Sequence, residues 1–174
     1  MATWNLDTAH SEIEFKVRHM MISTVKGHFG AFEVKLDSES EDISQASVEA
    51  TIDTSSISTQ NEQRDQHLKS SDFFDIEQFP NITFRSTAVE KKSSDEYKVT
   101  GDLTIKDITK PIVLDVELGG IAKDPWGNAK VGYTATGKIN RNDFGLTWNA
   151  ALETGGVMVS EEVKFSVDLQ FVKS

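Results

Sequence analysis

The sequence contains no cysteine. That absence removes disulfides, thiolate nucleophiles and cysteine-ligated zinc or iron–sulfur sites together. It leaves the compartment open, because 174 residues can bury a core without staples. No stretch approaches the ~20 apolar residues of a bilayer-spanning helix. The opening MATWNLDTAHSEIEF has neither the basic nor the apolar region of a secretory signal, so the expectation is a soluble, cytoplasmic protein. Positive charge is scarce as well: 18 Lys and Arg face 28 Asp and Glu, for a net charge of −10. This argues against a nucleic-acid binder that tracks phosphates and against electrostatic docking on anionic membranes.

The familiar catalytic punctuation is also missing. There is no His-Glu-x-x-His, no Gly-x-Ser-x-Gly and no glycine-rich loop between a strand and a helix. Gly155-Gly156 falls between two strands and reads as a turn. None of the four histidines, His10, His19, His28 and His67, lies at metal-motif spacing from another. His28 has the opposite parity to Val25 and Phe29 and is expected to face solvent. No metal site and no cofactor are therefore expected.

What is present is alternation. Apolar residues recur with period two along Ile13–Val17, Val25–Phe29, Phe32–Leu36, Ala46–Ile52, Ile82–Phe84 (extended to Ala88), Tyr97–Ile105, Ile112–Leu118, Val131–Ile139 and Val163–Phe171. The parity switches at Gly30-Ala31, where a bulge or turn restores the facing. Turn-rich runs such as Lys92–Asp95 and Asp124–Asn128 separate the segments. The reading is a single all-β domain over residues 1–174, a sandwich or barrel with one face of each strand in water. Several inward positions are small, among them Gly27, Ala50, Gly101 and Gly137. They either leave room for a ligand or fit the taper of a filled barrel.

One stretch breaks the pattern. Thr59-Gln-Asn-Glu62 reads as a capping box, Asp65 and Lys69 are spaced i,i+4, and only Leu68 offers an apolar contact. Phe73, Phe74 and Phe79 follow. A short polar helix with an aromatic tail fits a lid over one end of a barrel. Arg64, Asp65 and His67 do not converge as a catalytic set on one helix, so Arg64 and Asp65 are expected to tie the helix to strand ends.

Four separated blocks resemble the YceI-like proteins, also described as polyisoprenoid-binding proteins: HSEIEFKVRHMMISTVKGHF, RDQHLKSSDFFDIEQFPNITFRST, VTGDLTIKDITKPIVLDV, and INRNDFGLTWN with GGVMVSEEVKFSVDLQF. The resemblance implies an extended, eight-stranded antiparallel lipocalin-like β-barrel with one short helix, holding a long-chain amphiphile and having no catalytic residues. It also implies that Arg64, Asp65, His67 and Asp143-Phe144-Gly145 mark the fold more than the ligand site. Relatives are often exported and often dimeric, so a homodimer joins the expectations, while the missing signal departs from export.

Candidate ligand contacts are Phe15, Val17, His19, Phe29, Phe32, Val48, Ile52, Phe73, Phe74, Phe79, Phe84, Leu103, Leu114, Tyr133 and Phe165. The expected function is carriage or sequestration of a polyisoprenoid, isoprenoid quinone or fatty-chain lipid. Two alternatives stand beside it. One is a cyclase or isomerase using His19 in the same cavity, and the other is a self-filled barrel acting through its surface.

Overall fold

A computed structural model describes residues 2–19, 23–38, 46–146 and 159–173. Its strands are β1 (Ala2–Leu6), β2 (Glu12–His19), β3 (Ser23–Phe29), β4 (Phe32–Ser38), β5 (Ser47–Asp53), β6 (Ile57–Ser58), β7 (Asn81–Lys91), β8 (Glu96–Ile105), β9 (Ile108–Lys123), β10 (Ala129–Asn140) and β11 (Val159–Lys173), with one helix, α1 (Glu62–Lys69). All pairings are antiparallel, and β1 closes the sheet by pairing with both β4 and β11.

The eleven segments make eight strands because three are broken. β1 and β2 lie end to end along β11, with a 3₁₀ turn at Thr8–His10 between them. β3 and β4 are separated only by Gly30-Ala31, and β5 and β6 by a 3₁₀ turn at Thr54–Ser56. Two breaks adjoin: Gly30 N donates to Ser56 O at 3.2 Å, and Asp53 N donates to Ala31 O at 2.9 Å. Short acidic side chains make the turns, since Asp7 accepts from Ala9 N and Asp53 from Ser55 N. The parity switch expected at Gly30-Ala31 thus falls at a real discontinuity. The extension of the inward face to Ala88 does not hold: the register shifts between Ser86 and Ala88, which turns Ala88 outward and makes Val89 the half-buried residue.

At one end the wall plugs itself. Trp4, Val131 and Phe171 are almost fully buried there, with Leu36 beside them, and the Tyr133 and Phe171 rings meet at 6.3 Å. The opposite end is covered by a separate piece of chain, α1 and the turns that follow it. The helix begins two residues later than the expected capping box. Asn61 is the cap, accepting from Arg64 N at 3.0 Å. The physical cause is Gln60, whose φ of 61° turns the chain sharply and leaves Thr59 as the end of the strand rather than the start of the helix.

Candidate functional site

The barrel encloses a lumen of about 260 Å3. Phe15, Val17, Phe29, Val48, Ile52, Phe84, Leu103, Leu114, Tyr133 and Phe165 line it from the wall, and Leu68, Phe73 and Phe74 line it from the lid. Two expected contacts are corrected. Phe32 packs on the core at the start of β4, beside the break, and does not reach the lumen. Phe79 is half-buried and also outside it. Asp75 has φ 49° and accepts from Phe79 N at 2.9 Å, so the lid tail coils and cannot aim every aromatic inward. The backbone of His19 pairs with Ser23 and Val159, and its side chain lies outside the described residues.

The small inward residues have a definite role. A Cβ on Gly27 would sit 2.1 Å from Phe15 Cζ, and one on Gly137 would sit 2.6 Å from Phe165 Cζ. In both cases the ring lies on the glycine of its directly paired neighbour. A Cβ on Gly101 would meet Phe84 Cζ at 2.4 Å and Arg85 O at 2.5 Å. The glycines are therefore seats rather than voids. Each ring lies down along the wall because the adjacent side chain is missing, and the bore stays clear. From Phe15 the aromatic contacts continue to Phe29 (5.5 Å) and on to Phe74 (6.1 Å), linking wall to lid.

The lid is latched through Thr59. Asp65 Oδ1 accepts from Thr59 N at 2.8 Å and from Thr59 Oγ1 at 2.5 Å. Arg64 donates through Nε to Thr59 Oγ1 at 2.8 Å and through Nη2 to Thr59 O at 2.9 Å. Since Thr59 follows β6 directly, Arg64 and Asp65 do tie helix to strand. His67 contacts Asp72 at 2.9 Å and packs edge-on against Phe73 at 5.1 Å, bracing the first aromatic of the tail.

Two lining residues, Arg141 and Leu146, escaped the sequence reading. Arg141 is 3 % exposed yet reaches the lumen, donating through Nε to Ser160 O at 2.8 Å and through Nη1 to Leu146 O at 2.5 Å. Burial pulls its pKa below the ordinary guanidinium value, while the charge of Glu161 acts the other way. It stays a cation, since a guanidinium is not deprotonated in proteins. Period-two alternation could not flag it, because it sits in the turn after β10 and its side chain folds back. Among the described lining residues it is the one charged group, and there is no carboxylate, imidazole or lysine.

The YceI-like domain model matches residues 4–171. The chain belongs to the YceI-like family. A UPF0312 protein of Staphylococcus aureus (strain N315) is 47% identical over 172 residues, covering 98% of each chain. The crystal structure of the Campylobacter jejuni YceI protein is 34% identical, with a TM-score of 0.77 over 88% of this chain and 87% of that one. A polyisoprenoid-binding domain from Saccharophagus degradans shares 13% identity and superposes with a TM-score of 0.70, covering 97% of both, a likeness of fold. No helix among the described residues is long and apolar enough to cross a membrane.

Proposed function

We propose that this YceI-like barrel carries or sequesters a long-chain amphiphile, of the polyisoprenoid, isoprenoid-quinone or fatty-chain type, without transforming it. The observation that supports this most is the lumen: apolar on every side, roofed by an aromatic lid, and held open by rings seated on glycines. Burying such a chain gains about 0.8 kcal/mol per CH₂, so affinity needs few polar contacts. Arg141 places one fixed positive charge behind this apolar lining, with its Nε and Nη1 taken by backbone carbonyls.

The lumen is small beside the roughly 300–1,000 Å3 of pockets that enclose drug-sized ligands. A long chain is therefore accommodated by displacing Phe15, Phe74 or the lid rather than by filling a preformed tunnel. Native mass spectrometry of protein purified from its own cells, followed by lipid extraction, tests the reading. A co-purifying amphiphile is expected. Finding none, with no uptake of long-chain isoprenoids added afterwards, would refute it.

A further inference from the structure

The outer wall carries a second constellation, on the side of β2 and β3 turned away from the lumen. Glu14 and His28 are directly opposed across the β2–β3 pair, and Glu12 lies two residues along β2 on the same face. Their side chains converge. His28 Nε2 lies 2.9 Å from Glu12 Oε1 and 3.4 Å from Glu14 Oε2, and one donor atom from each residue falls within 4.8 Å of the others. Zinc bonds of about 2.0–2.2 Å to nitrogen and oxygen place tetrahedral ligands about 3.4 Å apart. The imidazole already stands near that separation from each carboxylate, and the two carboxylates lie within 4.8 Å of each other.

We propose that Glu12, Glu14 and His28 form a binding site for a borderline divalent cation, of which zinc is the type, with water completing the shell. The donor set argues the class. One imidazole with two carboxylates suits zinc and its first-row neighbours, whereas calcium and magnesium take oxygen ligands in larger number. The charge around the site argues the sign. Asp168 is paired with Glu12 from the other side, its carboxylate accepting from Thr134 Oγ1, so three acids gather within two strands. The lysine beside them, Lys16, is 3.9 Å from Glu14, and Lys26 opposes Lys16 directly. The platform is the rigid ladder of the barrel, which fixes all three ligand backbones before any ion arrives.

The position gives the ion something to do. The neighbouring pair in the same ladder is Phe15 and Gly27, whose ring-on-glycine contact shapes the bore on the inner face. His28 is also paired with Ser58, the residue before the Thr59 latch. A cation here staples β2 to β3 behind the lumen wall, one strand from the lid's anchorage.

Zinc chloride titrated into the chelator-stripped full chain tests the proposal by calorimetry, thermal melting and amide chemical shifts. One equivalent of zinc is expected to bind, to shift the amides of residues 12–14 and 28, and to raise the melting temperature. His28→Ala and Glu14→Gln should each weaken zinc binding tenfold or more and abolish the thermal shift, while His10→Ala leaves both unchanged. Both weakened variants alter part-exposed outer-wall residues, and their melting without zinc serves as the check on folding. Equal zinc affinity in the wild type and His28→Ala overturns the proposal. So does wild-type binding no tighter than millimolar.

Discussion

The two ends of the barrel are closed by different means. At the plugged end the wall's own side chains, Trp4, Val131 and Phe171, fill the cross-section. They belong to strands held by continuous ladders to their neighbours. At the lidded end the cover is a short helix and a coil of turns, joined to the wall by the bonds of Thr59 and by the contacts of Phe73 and Phe74. The helix itself buries no residue fully. A plug built from the sheet can open only if the sheet does. A lid built from an appended segment opens by local unfolding at much lower cost. Under the proposed carriage function, this difference would put stability at one end and exchange at the other.

The largest effect tests the plug. Trp4→Ala should cost about 3–5 kcal/mol, the usual range for deleting a large buried aromatic, and appear as a strong fall in the denaturant midpoint. A loss confined to ligand retention would contradict this division of roles. Next comes the lid. Phe73→Ala combined with Phe74→Ala should speed lipid release at least about tenfold, equivalent to 1.4 kcal/mol, while moving the global midpoint less than Trp4→Ala. Release followed with a fluorescent fatty-chain probe, beside chemical denaturation, measures both.

A third experiment works on the wall between the ends. Gly27→Ala pushes only the far edge of the Phe15 ring, so it should narrow the bore and weaken binding with little loss of stability. Gly101→Ala also meets a backbone oxygen, Arg85 O, which cannot swing aside, so it should destabilise the fold by about 1–3 kcal/mol. Equal behaviour of the two variants in binding and unfolding would rule out the seat-and-ring account.

The smallest effect is electrostatic and sits at the first break. The hydrogen bond from His10 holds the Asp7 carboxyl below its ordinary value, against partial burial, with the charge of His10 and the Ala9 amide assisting. A lowered folded-state pKa adds stability above the unfolded value near 3.8 and loses it as pH falls through the folded one. Asp7→Asn should therefore be slightly less stable than wild type at neutral pH. That gap should close in acid, as pH falls from 3.8 through the lowered folded-state value, in pH-dependent urea unfolding.

Much of this architecture was legible because a barrel wall writes itself in period two. Along most strands between Ile13 and Phe171, inward residues could be placed by parity, as could the change of face at Gly30-Ala31. The misses have local causes. Ala88 was misplaced by a single-residue bulge, which leaves no mark in composition. The cap shifted from Thr59 to Asn61 because of one positive φ at Gln60, a residue with no special tendency to adopt it. Phe79 was grouped with Phe73 and Phe74 by adjacency, but a coil of turns has no fixed facing. Arg141 and the Glu12–Glu14–His28 group are tertiary facts. The first depends on a side chain folding back, and the second on which strand β3 is paired with. Linear spacing of histidines cannot disclose a site whose third ligand crosses a hairpin.

The ring-and-glycine pairs also carry an evolutionary consequence. At Gly27 and Gly137 the only atoms tightly opposed to an added methyl belong to neighbouring side chains, with no backbone contact among the nearest. The width of the lumen can thus be reset one methyl group at a time while every hydrogen bond of the wall is kept. A methyl group added at either position fits the lumen to thinner chains and leaves the plug and the lid untouched.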